Sequence, residues 1–229
     1  VNQGTLIVLD GTDGAGKSTQ FAQLTQRLLA DSVPFQTVDF PRYGKPSAEM
    51  ARLYLRGYFG SDPATVNPYA ASTFYAVDRY TSWMEDDWGK FYRDGGLVLS
   101  DRYTTANAVH QTPKLPQAEQ LPFVNWLFDF ESGKLGIPKP DLVVFLDMPT
   151  ELALEMLRSR ESSTHTEGDI HEVDADYLRS CRKTALEVAA HLGWQVVSCA
   201  ENGKIRSVEA IHADVFAVVR EFLTENENS

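Results

Sequence analysis

"LIVLDGTDGAGKSTQ", Leu6 to Gln20, runs from four apolar residues into glycines and ends on a lysine and two hydroxyls. Gly11, four intervening residues, then Gly16, Lys17 and Ser18 fit the phosphate-binding pattern G-x-x-x-x-G-K-[ST]. The surroundings fit as well. Leu6 to Leu9 read as a buried parallel strand, and Thr19 to Ala30 as a helix with Phe21, Leu24, Leu28 and Leu29 on one face. Glycines let backbone N–H groups converge on an anion with no Cβ in the way, and the helix start adds its positive dipole end. The loop formed by Gly11, Gly14, Ala15, Gly16, Lys17, Ser18 and Thr19 is therefore expected to hold a nucleoside triphosphate. Lys17 would face the β- and γ-phosphates, and the Ser18 hydroxyl would ligate Mg²⁺.

Working outward, 229 residues suit a single α/β domain with an excursion or two. A formal charge of −11, without a stripe of Lys and Arg, argues against a nucleic-acid partner, which needs a basic face. Cys181 and Cys199 lie far apart and form no C-x-x-C pair, a pattern of reduced thiols. No apolar run reaches the ~18 residues of a membrane span and no charged-then-apolar leader precedes the first strand, so no membrane association and a cytoplasmic location are expected.

Further strands are expected at Phe35 to Phe40, Leu97 to Ser100, Leu142 to Leu146 and Gln195 to Ser198. Helical patterns fall at Ser47 to Leu55, Pro68 to Trp88, Leu121 to Glu131, Thr150 to Arg160, Ala175 to His191 and Ser207 to Leu223. Alternating helices with continuously apolar strands predict a parallel sheet covered on both faces, with ligands at the carboxyl ends of its strands. "LRGYFGSDPATVNPYA" reads as a loop between helices, and the polar "SRESSTHTEGDIHEVDAD" as a surface flap. The tail "TENENS", residues 224–229, is polar and is expected to fray.

A second group of residues carries chemistry. Asp101 and Arg102 follow an apolar strand; if that strand neighbours the P-loop strand, Asp101 emerges beside the phosphates as a metal-shell carboxylate, and Arg102 reaches an anion there. Tyr75 and Arg79 lie one turn apart on a helix, an aromatic wall with a hydrogen-bonding fork that suits a planar base. "VDFPRYG" places Phe40, Arg42 and Tyr43 at a strand end, where an arginine can clamp a phosphate.

"GTDGAGKSTQ", "FPRYGKPS", "YAVDRY", "SDRYTTANAVHQ" and "GIPKPDLVVFLDMP" occur in the order and spacing of the signature segments of the thymidylate kinase family. The chain resembles that family from Leu6 to about Ala190. The resemblance implies a P-loop nucleoside-monophosphate kinase fold: α/β, a five-stranded parallel sheet flanked by helices, with a mobile lid at about residues 158–176. It also implies a homodimer and transfer of the ATP γ-phosphoryl group to dTMP. By position, Asp13 matches an acidic loop residue near the acceptor phosphate and sugar. Tyr75, with Phe40 nearby, matches the wall over thymine; Arg79 the arginine that hydrogen-bonds a thymine carbonyl; Arg102 the one that grips the dTMP phosphate. Asn107 and Gln111 fall around the base, His110 stands where tyrosine is frequent, and Arg42 resembles a phosphate-clamping arginine, one place early or with Tyr43 out of step.

The P-loop arginine of some members is Gly14 here, and the flap from Glu161 to Asp174 holds no Arg or Lys. Transition-state charge is then expected from Arg158 or Arg160 at the flap base, or alternatively from Arg179 or Arg182. Asn202 to Lys204, after the last strand, are candidates for adenine. The competing readings are a kinase for another monophosphate or a deoxynucleoside, and a P-loop switch that hydrolyses its nucleotide. Against the switch, there is no Asn-Lys-x-Asp motif and no strand ending in a paired Asp-Glu.

Overall fold

The apolar run at Leu6–Leu9 becomes the central strand of the sheet. In a computed structural model, which describes residues 3–164 and 174–227, β1 (Thr5–Gly11), β2 (Phe35–Asp39), β3 (Leu97–Asp101), β4 (Leu142–Asp147) and β5 (Gln195–Ser198) pair in the order β2-β3-β1-β4-β5. All pairings are parallel. A strand buried on both faces must be apolar at every position rather than at alternate ones, which is what Leu6 to Leu9 provide.

Alternate side chains serve two cores. Leu6 and Val8 join Val98, Val143 and Phe145 on one face. Ile7 and Leu9 join Leu99, Val144 and Leu146 on the other. The second face is covered by α1 (Lys17–Ala30) through Leu24 and Leu28, and by α9 (Val208–Glu227) through Ile211, Val215 and Val219. Over the first face lie α5 (Thr104–Gln111), α6 (Gln117–Phe128) and α8 (Ala175–Leu192).

The long pattern expected over Pro68 to Trp88 is two helices, α3 (Pro68–Glu85) and α4 (Asp87–Arg93). Asp86 breaks it: its backbone is extended (φ −88°, ψ 153°), and its carboxylate accepts hydrogen bonds from Ser82 Oγ (2.6 Å) and Arg42 Nη1 (2.7 Å). The helix expected from Leu121 starts earlier as α6 and continues into a π-helical turn, Asp129–Lys134. The pattern at Ser47 begins as a 3₁₀ turn at Pro46–Ala48 before α2 (Glu49–Leu55). In the tail, α9 is helical through Glu227, with Thr224 Oγ1 donating to the Arg220 carbonyl at 2.9 Å, and residues 228–229 lie outside the described part of the chain.

Within the expected lid, α7 (Thr150–Thr164) continues past Arg160, and α8 starts at Ala175 with the Asp174 carboxylate accepting from the Tyr177 amide. The centre of the flap, 165–173, lies outside the described residues. Asn202 and Gly203, at φ 52° and 73°, turn the hairpin of β6 (Ala200–Glu201) and β7 (Lys204–Ile205), the left-handed pair that an Asn-Gly turn favours. Both cysteines are buried free thiols. Among the described residues no helix is long and apolar enough to cross a membrane.

Candidate active site

The site grows from the end of β1. Gly16 lies in the left-handed region (φ 81°) and no side chain caps α1, so the first-turn N–H groups stay open to an anion. Lys17 is buried and Nζ donates to the carbonyls of Gly11 (2.8 Å) and Thr12 (2.9 Å), holding the loop closed on itself. Burial, reinforced by Arg102, lowers its pKa against the pull of Asp13, Asp10 and Asp101. Gly14 has its own reason to be glycine: φ is 76°, and a Cβ there would sit 2.5 Å from the Ala153 carbonyl oxygen of α7. The arginine missing at this position has no room at its first carbon.

Strand order then brings in the second wall. β3 lies directly beside β1, with Asp101 in register with Leu9, so the condition on which the sequence reading of Asp101 rested is met. Arg102, at φ 62°, turns out of β3, and its Nη2 donates to Asp13 Oδ1. Such a left-handed backbone outside glycine costs energy and is found at functional sites. Burial opposes ionisation of Asp13, but Arg102 and Lys17 outweigh it and hold that carboxyl well below the ordinary range. His110 Nε2 lies 3.8 Å from Asp13 Oδ2. Burial pushes the imidazole down to about 4, with Arg102, Lys17 and Lys114 adding to the effect and Asp13 opposing it.

These groups line one cavity of about 520 Å³ at the carboxyl edge of the sheet, the place where ligands bind in open α/β folds. Gly14 to Thr19 form one wall; Phe40, Tyr75, Arg79, Asn107 and Gln111 form the other; Asp13, Asp101 and Arg102 stand between. Gly11 lies under the loop and not on the cavity surface. The Gln111 amide is 1% exposed and both its polar atoms lack a protein partner, an arrangement a ligand's hydrogen-bonding edge would satisfy. Asn107 Nδ2 donates to the Ser72 carbonyl at 3.2 Å. Phe40 meets Tyr103 edge to face at 5.8 Å.

Not every expected residue arrives. Arg42 does not line the cavity. Its Nε donates to Asp78 Oδ1 (3.0 Å) and Nη1 to Asp86 (2.7 Å), one acid within α3 and one at the α3–α4 junction, which neutralise it, whereas its neighbour Tyr43 lines the cavity. Arg179 is paired with Glu151 and Asp176 on the surface. Arg182 makes a two-point pair with Asp147 at the end of β4 (2.6 and 3.0 Å). Arg158 is exposed on α7, whose Met156 and Leu157 reach the cavity; the Arg160 side chain lies outside the described part of the chain. Asn202 to Lys204 are not cavity residues.

Three acids escaped the sequence reading. Asp10 is fully buried beneath the loop and accepts from the Gly11 amide (2.8 Å) and the Thr105 hydroxyl. Asp39 ends β2 in register with Asp101 and lines the same cavity; burial raises both carboxyls, with Asp78 adding to the effect on Asp39 and Asp39 adding to that on Asp101. Glu131 is wholly buried against Arg79. For Asp39 a signal existed, since an acid at a strand end in an α/β fold points to the ligand edge. Asp10 and Glu131 carried none.

Ser18, Asp101 and Asp39 offer only hard oxygen donors, the set that suits Mg²⁺. Among the described residues no group of three or more His, Cys, Asp or Glu could hold an ion alone. Mg²⁺ is commonly held by one or two carboxylates together with substrate phosphates.

A P-loop at a parallel-sheet edge, facing a second wall of arginine, amide and aromatic groups in one cavity, defines a nucleotide kinase. The profile of the family described as thymidylate kinase matches residues 9–211. The thymidylate kinase of Mycobacterium tuberculosis is 33% identical over 191 residues, covering 82% of this chain and 87% of that one. That of Rhodopseudomonas palustris is 28% identical, covering 91% and 86%. A solved thymidylate kinase of Candida albicans superposes with a TM-score of 0.66 at 19% identity, over 96% of this chain and 92% of that one, a likeness of fold. The chain belongs to the thymidylate kinase family.

Proposed function

We infer that this protein transfers the γ-phosphoryl group of ATP to dTMP, giving dTDP and ADP. The observation that carries the reading is the single cavity in which the P-loop faces the wall of Phe40, Tyr75, Arg79, Asn107 and Gln111. A hydrolytic switch needs a water-positioning group; a two-substrate enzyme needs a second nucleotide-sized wall, and this cavity has one.

An oxygen of the dTMP phosphate attacks the γ-phosphorus as the bond to the β,γ-bridging oxygen breaks, so no protein nucleophile is required. The protein aligns the partners and spreads charge. Backbone N–H groups of Gly14 to Thr19 and the Lys17 ammonium take the donor phosphates. Arg102, fixed by Asp13, takes the acceptor phosphate, and Asp13 stays ionised to keep it there. Phe40 and Tyr75 flank the base, Arg79 donates to its C4 carbonyl, and Asn107 and Gln111 meet its remaining edge. Ser18 and Asp101 would hold Mg²⁺, with Asp39 beside them, and the ion would supply positive charge against the donor phosphates. Arg158 or Arg160, on the helix that borders the cavity, supplies the remaining charge.

The protein pairs as a homodimer through α3, where Val77, Tyr80 and Met84 expose an apolar strip along one helix face (54%, 40% and 64%).

The decisive assay measures ATP consumption against a panel of nucleoside monophosphates and nucleosides. Higher kcat/KM with dTMP than with dUMP or dGMP is expected. Equal values would overturn the choice of acceptor, and vigorous ATP hydrolysis without an acceptor would point to a switch instead.

A further inference from the structure

Arg79 is 1% exposed yet lines the cavity, and its geometry is dictated by a residue 52 positions away. Nε donates to Glu131 Oε2 at 2.6 Å and Nη2 to Oε1 at 2.5 Å, a two-point fork; Nη1 donates to the Tyr103 carbonyl at 3.3 Å. Glu131 is itself wholly buried, and Thr104 Oγ1 gives it a third hydrogen bond at 2.7 Å. The acid sits in the π-helical turn Asp129–Lys134, a rare conformation that recurs at functional sites and here directs a carboxylate inward from the end of α6.

From this geometry we infer that Glu131 is a positioning residue that sets acceptor-base specificity: it cancels the Arg79 charge and fixes the fork, so that Arg79 reads a neutral carbonyl and is not an anion clamp. The inference rests on the cavity taking a pyrimidine monophosphate. Among the described residues, two arginines line this cavity with opposite settings. Arg102 is partly exposed and shares Asp13 with Lys17, so this carboxylate is divided between two cations and does not close off the guanidinium. Arg79 is closed off from water and matched one to one by Glu131. With three of a guanidinium's five N–H groups taken up by Glu131 and Tyr103, the others, on Nη1 and Nη2, remain for the cavity. A rigid donor pair favours thymine, which presents O4 as an acceptor, and rejects cytosine, which presents an N4 amino donor at the same place. Meeting donor with donor leaves buried polar groups unpaired, the kind of mismatch that produces large discrimination.

The test compares wild type with Glu131→Gln and Thr104→Val, reading kcat and KM for ATP, dTMP and dCMP. Glutamine leaves the guanidinium charge uncancelled and offers one acceptor to a two-pronged fork. The expected result is a KM for dTMP raised at least tenfold, a KM for ATP changed less than threefold, and a dTMP-to-dCMP ratio of kcat/KM reduced at least tenfold. Thr104→Val keeps the fork but drops the third bond, and should shift the same two quantities in the same direction by about threefold; it decides the matter if Glu131→Gln does not fold. An unchanged discrimination ratio, or a loss shared equally by ATP and dTMP, overturns the role of Glu131. A wild type with no preference for dTMP refutes the proposed function instead, and is told apart because it appears before any substitution.

Discussion

Lys17 and Arg79 are both buried cations on one cavity, but they sit on opposite walls. Replacing Lys17 with alanine removes the ammonium that the proposal sets against the donor phosphates, and turnover should fall at least ~10²-fold with every acceptor. Arg79→Ala should mainly raise the KM for dTMP and leave the KM for ATP near wild type. Steady-state kinetics with two acceptors checks the split, and equal effects from both variants would contradict it.

His110 supplies a pH dependence whose sign can be worked out. Its folded pKa is about 4 against an ordinary 6.5. Between these values the unfolded chain binds a proton that the folded one does not, so stability falls as pH drops from 6.5 towards 4. The contribution is at most about 3 kcal/mol. The groups facing the imidazole, Asp13, Arg102, Lys17 and Lys114, come from the P-loop, the end of β3 and the turn after α5. Urea unfolding of His110→Gln across that range should show a flatter profile than wild type; an identical slope would mean the imidazole titrates normally.

At the scale of elements, the contact between the P-loop and α7 is the tightest constraint on the site. Gly14→Ala adds a Cβ 2.5 Å from the Ala153 carbonyl oxygen at a left-handed backbone position. The loop and helix must then part. The expected cost is about 2 kcal/mol, a Tm lower by roughly 4–8 °C, with a drop in kcat because the displaced loop carries Lys17. Thermal unfolding that matches wild type would show the contact to be loose. The same helix presents Arg158. Alanine at Arg158 and at Arg160, made singly, should lower kcat by ~10³ at the one that reaches the transferring phosphoryl group. Less than a fewfold change at both would send the missing charge elsewhere.

The elements also explain which readings were visible in the sequence. The P-loop is local: its strand, turn and helix start lie within fifteen consecutive residues, Leu6 to Gln20, so their chemistry is written in order. Arg42 read as a phosphate clamp because its partners Asp78 and Asp86 are 36 and 44 residues away, and only the packing of β2 against the α3–α4 corner joins them. Asp86 likewise hid a helix break, since an acid in a polar run signals nothing until its carboxylate finds Ser82 and Arg42. Helix α5 lacked a visible pattern because nearly all of it is buried, leaving no polar face to mark a period.

For the whole molecule, the strip of Val77, Tyr80 and Met84 on α3 predicts association. Met84→Glu, at an exposed position, should shift sedimentation from dimer to monomer without unfolding the chain, as like charges meet across a two-fold contact. A species of monomer mass in the wild type at micromolar concentration would remove the dimer from the proposal.

By itself the sequence determined the class of fold and the strand, glycine turn and helix start of the P-loop, because strand burial, glycine turns and the lysine all act over short separations along the chain. It also placed Asp101, Arg102, Tyr75 and Arg79 as candidates. Only the tertiary structure decided how those candidates are charged and aimed. Whether a buried arginine binds an anion or reads a carbonyl depends on which carboxylate lies against it. For Arg79 that is Glu131, for Arg102 it is Asp13, and for Arg42 it is Asp78 with Asp86. Those pairings span tens of residues and arise from packing in a low-dielectric interior, where one opposite charge within reach changes what a group can bind.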